Sequence, residues 1–195
     1  GVAAESVPGG FGQVYPILRE MEERGRVRRG YFVEGLGGAQ FALPGAVDRL
    51  RAERADPSGE RRTDPETLLL AATDPANPYG ATLPWPRFGD DDRRVLARAA
   101  GAYVVLVDGE PAVYLDRGGR SLQTFPAFAA SPSVAQAALR ALTALTDDGR
   151  LRSLQIERID GLPSSTSPHR EALEAAGFKA AYRGMQFRAP AGGYR

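Results

Sequence analysis

Arg26-Val27-Arg28-Arg29-Gly30-Tyr31-Phe32-Val33, then Gly35-Leu36-Gly37-Gly38, then Ala39-Gln40-Phe41-Ala42-Leu43 is the stretch that decides the fold. The first segment reads as a strand with mixed alternation, the second as a glycine-rich turn and the third as a return strand. Pro44-Gly45 closes the hairpin. Four arginines (24, 26, 28 and 29) crowd its start, with Tyr31 and Phe32 just after.

Upstream, Phe11, Val14, Tyr15, Leu18 and Met21 recur at helical spacing, so residues 11–24 are expected to form an amphipathic helix. Pro16 lacks an N–H and should lie within the first turn or so, placing the start near Gly12, while Gly25 suits the position after the last turn. Downstream, residues 46–54 read as a short helix with Val47 and Leu50 inward. A helix feeding a two-stranded ribbon with a glycine-rich tip is the second half of a winged helix. Only about ten residues precede the helix, so the sequence reads as a piece cut from a longer protein.

Residues 55–66 are polar, proline-containing and without periodicity. The expected organisation is a winged-helix part over 1–55, a linker over 56–66, an α+β domain over 67–190 and a loose tail over 191–195. Within the second domain Thr67–Ala72 is an apolar strand entering a proline-rich loop, 73–86. Residues 103–107 and 112–115 flank the hairpin signal Asp108-Gly109, and 121–125 adds a third strand. Ser131-Pro132 opens a helix with Val134, Ala138, Leu142 and Leu145 on its apolar stripe, read as core with a subunit interface as the alternative. Residues 154–159 alternate as a half-buried strand, 167–176 form a helix ended by Gly177, and 182–188 a final strand. The fold class is α+β: a partial winged helix, then an antiparallel β-meander with packed helices.

Composition narrows the chemistry. The chain has 195 residues, no cysteine, one histidine (His169), and a net charge of +1 from 25 basic and 24 acidic residues. Disulfides, a thiol nucleophile and Cys-containing zinc sites are excluded, and a His-rich metal site or His-centred triad is disfavoured. No metal site is expected. Every basic residue except Lys179 is arginine, the side chain that forks onto phosphate and carboxylate. No apolar run approaches the roughly 18 residues of a membrane span and no signal peptide is visible, which reads as a soluble, intracellular (cytoplasmic) protein without a membrane partner. The P-loop pattern, GxSxG and HExxH are all missing.

Two constellations carry chemistry. Arg24, Arg26, Arg28 and Arg29, with Tyr31, could line a DNA backbone, duplex or single-stranded. Arg26 and Arg28 share one strand face and Arg29 and Tyr31 the other, so only one face can meet a duplex. The alternative is a solvated edge, neutralised by Glu20, Glu22 and Glu23. The second is Asp74, Asn77, Tyr79 and Trp85, a carboxylate, an amide and two aromatics of the kind a base pocket uses. There the alternative is a crossing whose Trp85 plugs the core and whose Asp74 initiates a turn. His169 is assigned a structural or neutral role on an exposed face, and Asp90-Asp91-Asp92 a helix start.

Residues 9–16 and 28–51, then Leu70-Ala71-Ala72-Thr73-Asp74-Pro75-Ala76-Asn77-Pro78-Tyr79-Gly80, Leu83-Pro84-Trp85-Pro86 and Gly101-Ala102-Tyr103-Val104-Val105-Leu106, resemble the C-terminal part of the large helicase-related (Lhr) family. The alanine- and arginine-rich composition suggests an actinobacterial member. The resemblance implies a superfamily 2 ATP-dependent DNA helicase linked to repair. Its ATP- and Mg-using motors would lie upstream, leaving no cofactor in this piece. It also implies tandem winged helices followed by a barrel-like module similar to AlkZ-type DNA glycosylases, with uracil-DNA glycosylase activity in some members. Gln40-Phe41-Ala42 matches the first half of the relatives' Gln-apolar-Gln motif, adding Gln40 to the DNA-contacting candidates. Thr73-Asp74-Pro75 resembles a relatives' segment carrying a functional acid, making Asp74 the catalytic candidate.

Three readings follow: a DNA-binding or assembly module, non-catalytic alone and partnered by DNA and the rest of its parent helicase; part of a glycosylase site; and a homo-oligomerisation unit.

Overall fold

The computed structural model describes residues 8–52, 64–89, 94–147 and 151–189. It divides into two compact units, residues 1–62 with 78–84, and residues 63–77 with 85–195.

In the first unit, α1 (Gly10–Glu23) leads through β1 (Arg28–Gly30) and β2 (Gln40–Ala42) to α2 (Ala46–Ala52), the helix–ribbon–helix order of a winged helix. The helix starts two residues before the expected Gly12, on Gly9 and Gly10 at positive φ, so Pro16 lies inside it rather than in its first turn. Its end is as read. Gly25 has φ 68°, its N–H donates to the Glu22 carbonyl (2.8 Å) and the Arg26 N–H to the Met21 carbonyl (2.8 Å), the paired bonds of a glycine-terminated helix. The strands are shorter than expected. Arg28 pairs with Ala42, Arg29 with Phe41 and Gly30 with Gln40, and beyond Gly30 the chain is irregular.

The second unit holds β3 (Thr67–Ala71), β4 (Tyr103–Val107), β5 (Glu110–Leu115), β6 (Ser121–Thr124), α3 (Pro132–Asp147), β7 (Leu154–Ile156), β8 (Arg158–Ile159), β9 (Leu162–Pro163), α4 (Arg170–Ala175), β10 (Lys179–Ala181) and β11 (Gly184–Phe187). A six-stranded sheet runs β3-β4-β5-β6-β8-β9 and a three-stranded one β10-β11-β7. Both are open among the described residues, so no barrel closes. The β3 to β6 meander is antiparallel as expected, but β6 and β8 are parallel. The single strand read over 154–159 breaks at Glu157 between the two sheets. The final strand is a hairpin, with Tyr182 in its turn. Gly184, at φ 83°, follows that turn against the Ile156 carbonyl, the Ser164 hydroxyl and Glu157, where a Cβ would overlap backbone.

Helix α3 supplies the core. Ala138, Leu139, Leu142 and Leu145 are fully buried in one cluster with Val105, Val113, Leu115, Leu122 and Ile159, so the stripe is core. Ser131 Oγ accepts the Val134 N–H at 3.3 Å, capping the helix as expected. Asp108-Gly109 and Asp160-Gly161 both take positive φ at both residues, the turn matching sheet twist. The expected helix start at Asp90–Asp92 and most of the linker and tail lie outside the described residues, and Arg94–Ala99 is irregular. Among the described residues no helix is long and apolar enough to cross a membrane.

Candidate nucleic-acid interface

The four arginines separate into two pairs. Arg24 is bound to Glu20 one turn back at 2.5 Å. Arg29 reaches from β1 to α1, where Nη2 meets Glu22 Oε2 at 2.6 Å, Nε meets it at 3.0 Å and Nη1 donates to the Tyr15 hydroxyl at 3.4 Å. Its guanidinium also lies 5.8 Å from the Phe41 ring centre, and Tyr15 and Phe41 meet edge-on at 6.1 Å. Hydrogen bonding to Glu22, then its charge, raises the Arg29 pKa above its ordinary value. Arg29 therefore joins the wing to the helix and is electrically neutralised there.

Arg26 and Arg28 are different. Both are exposed, on either side of buried Val27 in the chain, Arg28 opening β1 and Arg26 lying in the bend before it rather than on the strand as expected, and neither guanidinium has a partner among the described residues. Tyr31, 91% exposed, stands just beyond the strand. Helix α1 carries Arg19 against Glu20, Glu22 and Glu23, and Arg19 is itself paired with Glu23 at 3.1 Å. An acidic helix is repelled by phosphate, so only the wing offers positive charge in this unit's helix-and-ribbon pair.

Gln40 is committed elsewhere. Its Oε1 accepts the Phe32 and Val33 N–H groups (both 2.9 Å), and Nε2 donates to the Val33 and Leu36 carbonyls (2.9 and 2.7 Å). Two acceptances and two donations fill an amide, leaving nothing for a base edge. It shapes the wing tip.

The loop candidates are likewise occupied. Asp74 Oδ1 accepts the Ala76 N–H at 2.8 Å, a turn cap. Asn77 is buried and donates to the Ala72 carbonyl at 3.0 Å. Trp85 stacks on Phe125 (5.6 Å, 9°), meets Tyr114 edge-on (5.6 Å) and donates to the Leu96 carbonyl at 3.1 Å. Its stacking face is packed against protein, which is the core-plug alternative. Tyr79, also buried, belongs to the other compact unit. The sequence reading missed Arg98, whose fork donates to the Asp74 and Asn77 carbonyls (both 2.9 Å) and holds the turn. It also missed Asp160. That carboxylate accepts the Thr124 N–H (2.8 Å) and hydroxyl (2.7 Å) and Arg94 Nη1 (3.3 Å), with His169 Nε2 at 3.6 Å. His169 is half-buried, edge-on to Phe128 at 5.2 Å, rather than exposed. Neither residue lies in a motif; only folding brings their partners together. Among the described residues no three His, Cys, Asp or Glu side chains gather as metal ligands.

Residues 1–62 match the family model described as the winged-helix domain of large helicase-related protein. These residues belong to the Lhr winged-helix family. The similarity to Lhr proteins continues past the wing. A Mycolicibacterium smegmatis protein named "Lhr helicase/ probable uracil glycosylase" is 46% identical across 96% of this chain. An Escherichia coli protein named "Lhr helicase/uracil glycosylase" is 38% identical across 95% of it. The chain spans 12% of the length of each. Arg26 and Arg28, without an ion-pair partner among the described residues, thus lie within the stretch that matches the Lhr winged-helix domain, and the β-rich unit is Lhr-like in sequence as well.

Proposed function

We propose that this chain is a DNA-binding and assembly module of an Lhr-type repair helicase, non-catalytic by itself, and that its wing meets the phosphate backbone through Arg26 and Arg28. The observation carrying this reading is that these two guanidiniums are exposed and have no ion-pair partner among the described residues, while Arg24 and Arg29 are neutralised by glutamates. ATP and Mg would serve the parent's motors. This chain's residues do not fit them, since no phosphate-cradling GxxxxGK[ST] loop is present, and no step here runs through them. The test is the salt dependence of duplex binding. Arg26→Ala/Arg28→Ala is expected to lower the slope of log K against log salt by about two units, because each phosphate neutralised contributes ~0.9. Arg24→Ala, removing a charge already paired, should leave the slope in place. An unchanged slope in the double variant overturns the reading.

The relatives' names favour a second reading, a contribution to uracil excision. Asp74 is its candidate acid. Uracil release by a longer C-terminal piece carrying Asp74→Asn checks it: undiminished excision removes Asp74 from any active site.

A further inference from the structure

The hairpin β10–β11 and strand β7 form the small sheet of the second unit. Ala180, Met185 and Ile156 pair across it on the inner side, where Met185 and Ile156 are fully buried. The opposite face carries the row Lys179–Gln186–Gln155, set by the same registers. Gln186 Nε2 reaches Ser153 Oγ at 3.4 Å, and Gln155 Nε2 holds the Arg183 carbonyl at 2.8 Å. Arg188 continues β11 along that face, and Tyr182 and Arg183 form the hairpin tip, with Tyr182 98% exposed. No acidic residue occurs from Ala175 to Ala189. Lys179, Arg183 and Arg188 are exposed and have no ion-pair partner among the described residues. A shallow cavity of about 480 Å³, lined by Gly177, Lys179, Ala180, Ala181, Gln186 and Arg188, runs along the β10 edge.

We infer that this face is a second DNA-contacting surface, separate from the wing, and that it takes unpaired strand. Edge protection alone explains one lysine on β10. It explains neither the cations at the tip and on the inner strand nor a fully exposed aromatic ring. Three uncompensated cations beside side-chain amides suit a phosphodiester chain. An acidic peptide helix would instead need an apolar groove, which a Lys-Gln-Gln-Ser face does not offer. Tyr182 selects single strand over duplex, since a protruding ring can stack only on a base whose face is open.

The experiment uses the 195-residue chain and a fluorescent oligothymidylate of about 15 nucleotides, between about 50 and 200 mM salt. Lys179→Ala/Arg183→Ala/Arg188→Ala is expected to reduce the salt slope by about two, at ~0.7 per single-strand phosphate. Tyr182→Ala should weaken binding roughly 5-fold or more, with Tyr182→Phe restoring it. All four side chains are exposed, so thermal melting should be unchanged; should the triple variant melt early, Lys179→Gln/Arg188→Gln takes its place. Oligothymidylate binding that survives both sets of changes overturns the inference, as does polyglutamate competing as well as the oligonucleotide. Arg26→Ala/Arg28→Ala, run alongside, separates the surfaces: loss of duplex binding there with no effect of the sheet variants leaves the wing reading standing and this one refuted.

Discussion

Gln40 shows how a polar side chain in a DNA-binding unit can serve the fold. Its amide closes four hydrogen bonds across the wing tip. Gln40→Ala is expected to lower stability by about 1 kcal/mol and to speed exchange of the Phe32 and Val33 amide hydrogens, measured by hydrogen exchange. Gln40→Glu keeps the acceptor but sets a carboxylate oxygen against the Val33 and Leu36 carbonyls, so it is expected to cost at least as much as Gln40→Ala. Tyr114 is the other residue with a directional consequence. Burial, then the Asp116 charge, raises its pKa above the ordinary 10.0, and its hydroxyl donates to the Ala97 carbonyl at 2.8 Å. Its ionisation is easier in the unfolded chain, so its contribution is complete below about pH 10 and is lost as pH climbs through the raised value. Tyr114→Phe should cost about 1 kcal/mol at neutral pH. Urea midpoints at about pH 8 and about pH 11 should then show the variant losing less stability on the alkaline side than the parent. An equal loss in both proteins would remove Tyr114 as a source of the pH dependence.

At the scale of elements, the wing's attachment and the wing's charge are separable. Arg29 is paired with Glu22, so its removal releases no counterion, yet it frees β1 from α1. Arg29→Ala is expected to weaken duplex binding while leaving the salt slope in place, with faster amide exchange in β1 and β2; Arg26→Ala/Arg28→Ala should change the slope and leave exchange alone. Hydrogen bonding to Glu22, then its charge, moves the Arg29 pKa upward, so the guanidinium stays charged as pH rises and salt is the variable that loosens the tie. Elements defined by local pattern were legible in the sequence. Helix α3 follows from the spacing of Ala138, Leu142 and Leu145 and its Ser131 cap, the β4–β5 hairpin from Asp108-Gly109, and the α1 end from Gly25. Elements defined by distant partners were not. The two-residue strand β8 exists because Ser121 and Leu122 lie alongside Arg158 and Ile159, and no periodicity shows in so short a segment. The same holds within the candidate site. The arginine cluster was plain, but which arginines stay unpaired depended on Glu20 and Glu22 lying one turn and one element away.

Over the whole molecule, burial is divided very unevenly. In the first unit only Val27 and Tyr79 are buried apolar residues among those described, and α1 and α2 bury none, so Phe11, Ile17, Leu43 and Leu50 stay exposed. In the second unit α3 and strands β4, β5 and β6 close around a continuous core in which most side chains are fully covered. Apolar burial is the main source of folding free energy, at roughly 25 cal/mol per Å², and local opening tracks its absence. Pro16 also withdraws one N–H from the middle of α1. The amides of α1, β1 and β2 are therefore expected to exchange by local opening, orders of magnitude faster than those of α3 and β4–β5, which should exchange only with global unfolding. Mass-resolved hydrogen exchange on the 195-residue chain reads this directly, and equal protection in α1 and α3 would refute it. Saturating duplex DNA should slow exchange in α1, β1 and β2 and leave α3 unchanged, because a ligand of the wing stabilises the unit that opens by itself.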